Sequence, residues 1–473
     1  MAETSPRQTQ DEKRGLTDRF LNIFSDVRPG EAATMLILLF DIFLLLASYY
    51  IIKVVRDPLI LVTAEKDLQI LLKFNIPGWL IKIIRERDFQ GPQLKAFGAA
   101  CQALLLIGFI PLYSWFASRV KRFYFLIGVT GFFISNILLF YFLSLARIPF
   151  LGFIFYVWVG IFNVSMVAQF WSFANDIYTK SEGDRLFPVI AIGATAGAPI
   201  GSLIAERLKS WPPFQTILFT AGLLVIFLIL SIVVHRREAR SGKRERAAVV
   251  SKEEPMKKGG GFKFVLRNPY ILLIGFLLLS LNTVNTSGEF ILSNFVMIKA
   301  RAIAPNNMIP VVQGFYGNFQ FISSIIAFLL QALLVSRIVK YTGIKGVVLI
   351  LPFLAFGAYG VIGLGAGLGV VRALKLAENS TDYSIMNTGK AMLWLPTTRE
   401  EKYKGKQTVD TFFVRFGDFL AAILFIAGTT VLGLGVRSVA GANLVIVIVW
   451  LVLTFLVLRY HSRLVAQKSG HAG

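Results

Sequence analysis

About a dozen stretches of this chain are apolar for long enough to cross a lipid bilayer, and that repetition narrows the fold more than any single motif does. They begin at Thr34, Ala96, Phe123, Phe150, Phe187 and Phe214, and again at Tyr270, Gly314, Val347, Val370, Phe412 and Asn443. A helix needs about 20 such residues to span the hydrocarbon core, where every backbone N–H and C=O must be satisfied within the segment. The pattern therefore predicts an all-α polytopic membrane protein with about twelve transmembrane helices. Composition agrees, since 55% of the 473 residues are apolar and only 16% are charged, against about a quarter charged in soluble domains. The 42 Phe and 40 Gly suit helices that meet acyl chains on one side and pack closely on the other.

Several chemistries are excluded at once. A lone cysteine, Cys101, and three histidines leave nothing for a disulfide framework or a metal cluster. No GxxxxGK[ST], GxSxG or HExxH pattern occurs, so no catalytic residue, metal or cofactor is expected and the chain does not read as an enzyme. The net charge of +22 is read by position rather than as a sign of nucleic acid.

Residues 1–33 are polar, carry no apolar signal-peptide core, and read as a cytoplasmic N-terminal segment. With both termini cytoplasmic, most of the 49 Lys and Arg fall in cytoplasmic loops, as the positive-inside rule requires. The densest basic stretch lies within 236–269, midway along the chain. It reads as a solvated linker between a six-helix bundle at 34–235 and another at 270–460, followed by a cytoplasmic tail at 461–473; its charge fits a topology signal or an anionic-lipid contact. The halves echo each other. Ser118-Arg119-Val120-Lys121 recurs as Ser336-Arg337-Ile338-Val339-Lys340, and Thr179-Lys180-Ser181-Glu182 as Thr397-Thr398-Arg399-Glu400. A parallel duplication of a six-helix unit follows, as in the major-facilitator architecture, where two halves rock about a midplane site.

Charge inside a span costs roughly 2.5–3.5 kcal/mol even on the lenient insertion scale, so each such residue needs a partner, a wet cavity or a function. Lys53, Arg56 and Asp57 stand at i, i+3 and i+4 just before Pro58, which is expected to disturb the first span. The fourth span closes on Asn175 and Asp176, and the seventh carries Glu289 amid amides and hydroxyls. In the tenth, Arg372, Lys375, Glu378, Asn379, Asp382 and Lys390 keep to one helical stripe, as a helix lining water requires. The eleventh has Arg415 and Asp418 at i, i+3. Gly193, Gly197 and Gly201 make a small-xxx-small face on the fifth, a helix-packing signal rather than a phosphate loop.

At these stretches the sequence resembles the ATP/ADP translocases of plastids and intracellular bacteria. Lys53 and Arg56-Asp57 ahead of Leu59-Ile60-Leu61-Val62-Thr63, Phe170-Trp171-Ser172-Phe173-Ala174-Asn175, and Arg185-Leu186-Phe187-Pro188 are similar to that family's motifs. So are Tyr383-Ser384, Lys390, Met392 and Pro396, then Gly405-Lys406, Asp410, Arg415 and Gly417. The chain departs from the family at Ala391, where an acid is usual, and at Asp418, where Lys is usual. The resemblance implies twelve helices and exchange of a nucleoside triphosphate for a diphosphate. On it, Lys53, Arg56, Asn175, Lys390 and Arg415 are expected to bind ATP, ADP or a related phosphorylated anion. Asp57, Glu289, Asp382 and Asp418 are expected to hold those cations and exchange partners during gating. A monomer in a bacterial inner membrane is the expected form. Two rivals remain open: a proton-coupled permease for a non-nucleotide solute, and a permease-like scaffold that transports nothing.

Overall fold

The computed structural model describes residues 31–73, 89–240, 261–398 and 405–470, together with Arg28, Pro77, Gly78 and Glu401. Among these, twelve long helices follow one another: α1 Ala32–Leu71, α2 Gly91–Ala117, α3 Arg122–Leu145, α4 Leu151–Ile177, α5 Lys180–Arg207 and α6 Pro213–Arg240. A short helix, Gly261–Arg267, leads into α7 at Pro269–Ile303. Next comes α8, which starts as Met308–Leu330 and passes through a π-helical turn at Gln331–Val335. It ends at Gly343, whose φ of 60° and ψ of −155° break the continuing helix; α9 is 344–363. Only a residue without Cβ takes that backbone readily. Leu368–Thr381, a π turn at Asp382–Met386 and Asn387–Leu393 make up α10. Lys406–Val431 is α11, with π turns at Val409–Phe413 and Ala427–Val431, and Val436–Gly470 is α12.

Side-chain caps set the starts of several helices. Gln90 and Gln93 form a capping box with Pro92 in the first turn, so α2 starts ahead of its apolar stretch at Ala96 and takes in Lys95. Asn268 accepts from the N–H of Tyr270 and Ile271 to open α7. Thr179 and Glu182 box the start of α5, and Thr398 and Glu401 exchange the equivalent hydrogen bonds ahead of α11. The echo between halves is thus a reused helix-start device, shifted by one residue from the expected Glu400 to Glu401.

Pro58 does not end the first span: α1 runs through it to Leu71. Residues 461–470 of the expected tail continue α12 as helix. Most of the N-terminal segment, residues 241–260 of the linker, and 471–473 lie outside the described residues.

The Gly193, Gly197, Gly201 stripe is a packing face, as expected, and α1 is what it packs on. A Cβ at these positions would stand 2.0 Å from Leu39 O, 2.6 Å from Phe43 O and 2.3 Å from Ala47 O. With nothing but hydrogen on the stripe, the two backbones approach closely enough for continuous van der Waals contact. Between the halves, α5 meets α8 and α2 meets α11. At the α5–α8 seam the buried Gln313 donates to Ala205 O at 2.9 Å, and Gly317 lies flat against Glu206. That seam seals the end of the molecule where α5 finishes and α8 begins.

Candidate functional site

Side chains from α1, α2, α4, α7, α8, α10 and α11 enclose a central cavity of about 170 Å³. Its wall is charged. Lys53, Arg56, Lys95 and Arg415 supply cations; Asp57, Glu289 and Asp418 supply carboxylates.

The cations are held in two different ways. Lys95 pairs with Asp57 at 2.9 Å, with both side chains under a tenth exposed, and sits 4.8 Å from the Tyr316 ring centre. Arg415 pairs with Asp418 at 3.2 Å, though its Nε has no acceptor among the described residues, while Thr286 donates to the other oxygen of Asp418 at 2.7 Å. The Lys95–Asp57 pair is buried, so removing either partner leaves a stranded charge worth about 3–5 kcal/mol, whereas Arg415 and Asp418 are partly open to the cavity.

Arg56 and Lys53 are looser. Arg56 stacks 4.5 Å from the Tyr156 ring centre and comes no nearer to Asp57 than 3.8 Å, beyond hydrogen-bond reach. Its Nε has no acceptor among the described residues. Lys53 has Gln320 Oε1 at 3.4 Å and the rings of Tyr50 and Tyr383 at 5.2 and 5.8 Å. No carboxylate of the described residues stands within 4 Å of it. Aromatic faces hold a cation without using up its N–H donors. Two adjacent turns of α1 therefore present donors with spare capacity to the cavity, in the fork-and-point combination that suits phosphate.

A polar network backs the cavity on the α7–α10 side. Glu289 accepts from Asn379 Nδ2 at 3.0 Å. Behind it Lys375, only 1% exposed, lies 3.1 Å from Glu378 and 3.9 Å from Glu289, and donates to Asn285 Oδ1 at 3.0 Å. Tyr359 donates to Val284 O at 3.0 Å beside Glu378. Much of the polar stripe expected on the tenth span thus faces protein and cavity rather than lipid.

Of the residues singled out from sequence, Lys53, Arg56, Asp57, Glu289, Arg415 and Asp418 meet at this cavity. Lys390 and Asp382 do not line it. They form their own pair at 2.8 Å across the π turn of α10, which Asp382 opens, with Asp410 of α11 in the field of Lys406, Lys390 and Arg415. Asn175 is set apart as well. It is exposed in the last turn of α4, next to the Asp176–Arg122 ion pair, because a motif at a helix end points wherever that end points. Sequence reasoning passed over Lys95, Tyr156, Gln102 and Gln320. Lys95 precedes its apolar run and looks like a flanking anchor; the Gln90/Gln93 box, which pulls it into the helix, was the available signal.

Comparison with known proteins agrees with this architecture. Residues 69–388 match the family model of the Major Facilitator Superfamily, and residues 359–460 match that of the TLC ATP/ADP transporter. The chain is 25% identical over 337 residues to ADP,ATP carrier protein 1 of Chlamydia trachomatis, a match covering 61% of each chain. It is 22% identical over 342 residues to ADP,ATP carrier protein 3 of Rickettsia conorii, covering 61% of this chain and 64% of that one. The match thus spans less than two thirds of the length of these curated relatives. Among solved structures, a point mutant of the nucleoside transporter NupG superposes with a TM-score of 0.62 at 13% identity, covering 90% of this chain and 99% of that one. A bacterial homolog of the human lysosomal transporter Spinster, inward-facing and unoccupied, gives 0.56 at 13% identity, covering 93% and 99%. At such identities the likeness speaks for the fold.

Proposed function

This chain belongs to the Major Facilitator Superfamily, and we propose that it carries a phosphorylated organic anion, ATP and ADP foremost, across a bacterial inner membrane by alternating access and in exchange for a second such anion. The observation that carries this reading is the spare donor capacity of Lys53 and Arg56 inside a cavity built from both halves. A polyphosphate would take those donors first. It would then compete with Asp418 for Arg415 and with Asp57 for Lys95, so that loading the cavity loosens pairs that hold the empty form. Glu289, which acts on Arg56 through space, would recapture that cation after release. Lys390 and Asp382 belong to the path between cavity and cytoplasm rather than to the binding wall, and Asn175 to that same face.

The matches to the ATP/ADP transporter model and to the Chlamydia and Rickettsia carriers support nucleotides as cargo. In this reading the chain works as a monomer with both ends in the cytoplasm, and the α5–α8 seam closes the external side. The test is counterflow in proteoliposomes. Vesicles loaded with unlabelled ADP should accumulate labelled ATP, and Arg56→Gln should abolish accumulation; vesicles that show no counterflow of either nucleotide would remove them as cargo. Asp418 and Glu289 on the wall favour one other reading, proton-coupled movement of a neutral or cationic solute. Uptake driven by a pH gradient and indifferent to competing nucleotide would select it.

A further inference from the structure

We infer that α2, α3 and α4 form a specific binding site for one anionic glycerophospholipid, remote from the central cavity. The three helices leave a groove of about 440 Å³ walled mostly by aromatic and aliphatic side chains. Phe125, Phe133 and Trp158 are buried and form its floor, while Trp115, Phe116 and Phe132, each more than half exposed, form its rim. On α3 the floor runs from Phe125 to Phe133, about 12 Å of helix rise and most of the depth of one leaflet's hydrocarbon. A concave, ring-walled slot of that length fits an acyl chain.

The mouth of the groove supplies the headgroup chemistry. Ser118-Arg119-Val120-Lys121 joins α2 to α3 at the end where the floor starts. The guanidinium of Arg119 lies 3.6 Å from the ring centre of Trp115 on the rim, and Lys121 is exposed one turn before Phe125. Arg122 is already neutralised by Asp176. Arg119 and Lys121 have no carboxylate within 4 Å among the described residues. Two uncompensated cations above an apolar slot are complementary to a phosphodiester above an acyl chain. A zwitterionic headgroup would bring an amine against the same cations, and a second copy of this chain would have to set its own charges there. In the proposed topology this mouth faces the cytoplasmic leaflet, where anionic lipid attracts basic residues.

The full chain, purified in detergent and incubated with equal amounts of phosphatidylglycerol and phosphatidylcholine, can be read by native mass spectrometry. One phosphatidylglycerol per chain should be retained, and Arg119→Glu with Lys121→Glu should cut retention at least about twentyfold, at about fivefold per cation near a membrane surface. Val129→Trp, which fills the slot without touching the charges, should cut it as strongly while an unchanged unfolding midpoint shows the bundle intact. Equal retention of both lipids, retention that survives either variant, or a mass of two chains with no lipid would each overturn the assignment. None of these outcomes depends on what the central cavity carries.

Discussion

Lys375 has almost no contact with solvent, yet it touches Glu378, Asn285 and the edge of Glu289. A stranded carboxylate at this depth costs far more than the pair gains. Lys375→Met should therefore lower stability by about 3–5 kcal/mol, read as a marked fall in the detergent unfolding midpoint. Lys375→Met with Glu378→Gln should recover most of that loss; a double variant as unstable as the single would mean that packing rather than charge sets the cost. Asp418 gives the opposite kind of prediction. Exchanging it for Lys swings the local charge by about two units beside the cavity, worth a few kcal/mol at protein-like dielectric. Asp418→Lys should tighten ATP binding at least tenfold in a competition assay, even though Arg415 loses its partner. Residues such as Lys53, Arg56, Glu289 and Arg415 were legible in the sequence because ionised groups are rare and costly inside apolar runs. Depth was not legible. Lys390 lies eight positions after Asp382, about 12 Å along a regular α-helix, and the π turn that Asp382 opens changes both rise and register. Periodicity placed both on the cavity stripe, whereas the structure pairs them with each other outside the cavity wall.

At the level of helices, two glycine contacts that look alike in sequence have different consequences. Gly193, Gly197 and Gly201 join α5 to α1 within one half, whereas Gly317 lets α8 lie against Glu206 across the halves. Gly197→Leu should simply prevent a folded N-terminal half, seen as loss of monodisperse protein. Gly317→Val puts a Cβ at 2.7 Å from Glu206 Cβ and should instead pry open the seam. In a Cys101→Ser background carrying Gln320→Cys, an impermeant maleimide applied from the α5–α8 end should label several times faster with Gly317→Val than without it. The small-residue spacing announced a packing face, but not which helix it would meet, because spacing describes one surface and partner choice needs the other.

For the molecule as a whole, the all-α class and the repeated membrane-spanning helices could be read directly, since a bilayer fixes the length and polarity of anything that crosses it. What could not be read was which end is shut, a property of contacts such as Gln313 with Ala205 that join residues 108 positions apart. The proposed orientation has its own check. With Cys101 replaced, a cysteine in place of Ser118 should react with an impermeant reagent only after cells are permeabilised, and one in place of Trp211 should react in intact cells. The reverse pattern would invert the topology.

The close weld of α5 onto α1 ties two events together. Lys53 and Arg56 ride on α1, and the far end of α5 forms the seam with α8. On the function proposed above, cargo that tugs on those cations would tilt a rigid pair of rods, so that seizing the load and working the door at the far end of α5 would be strokes of a single lever.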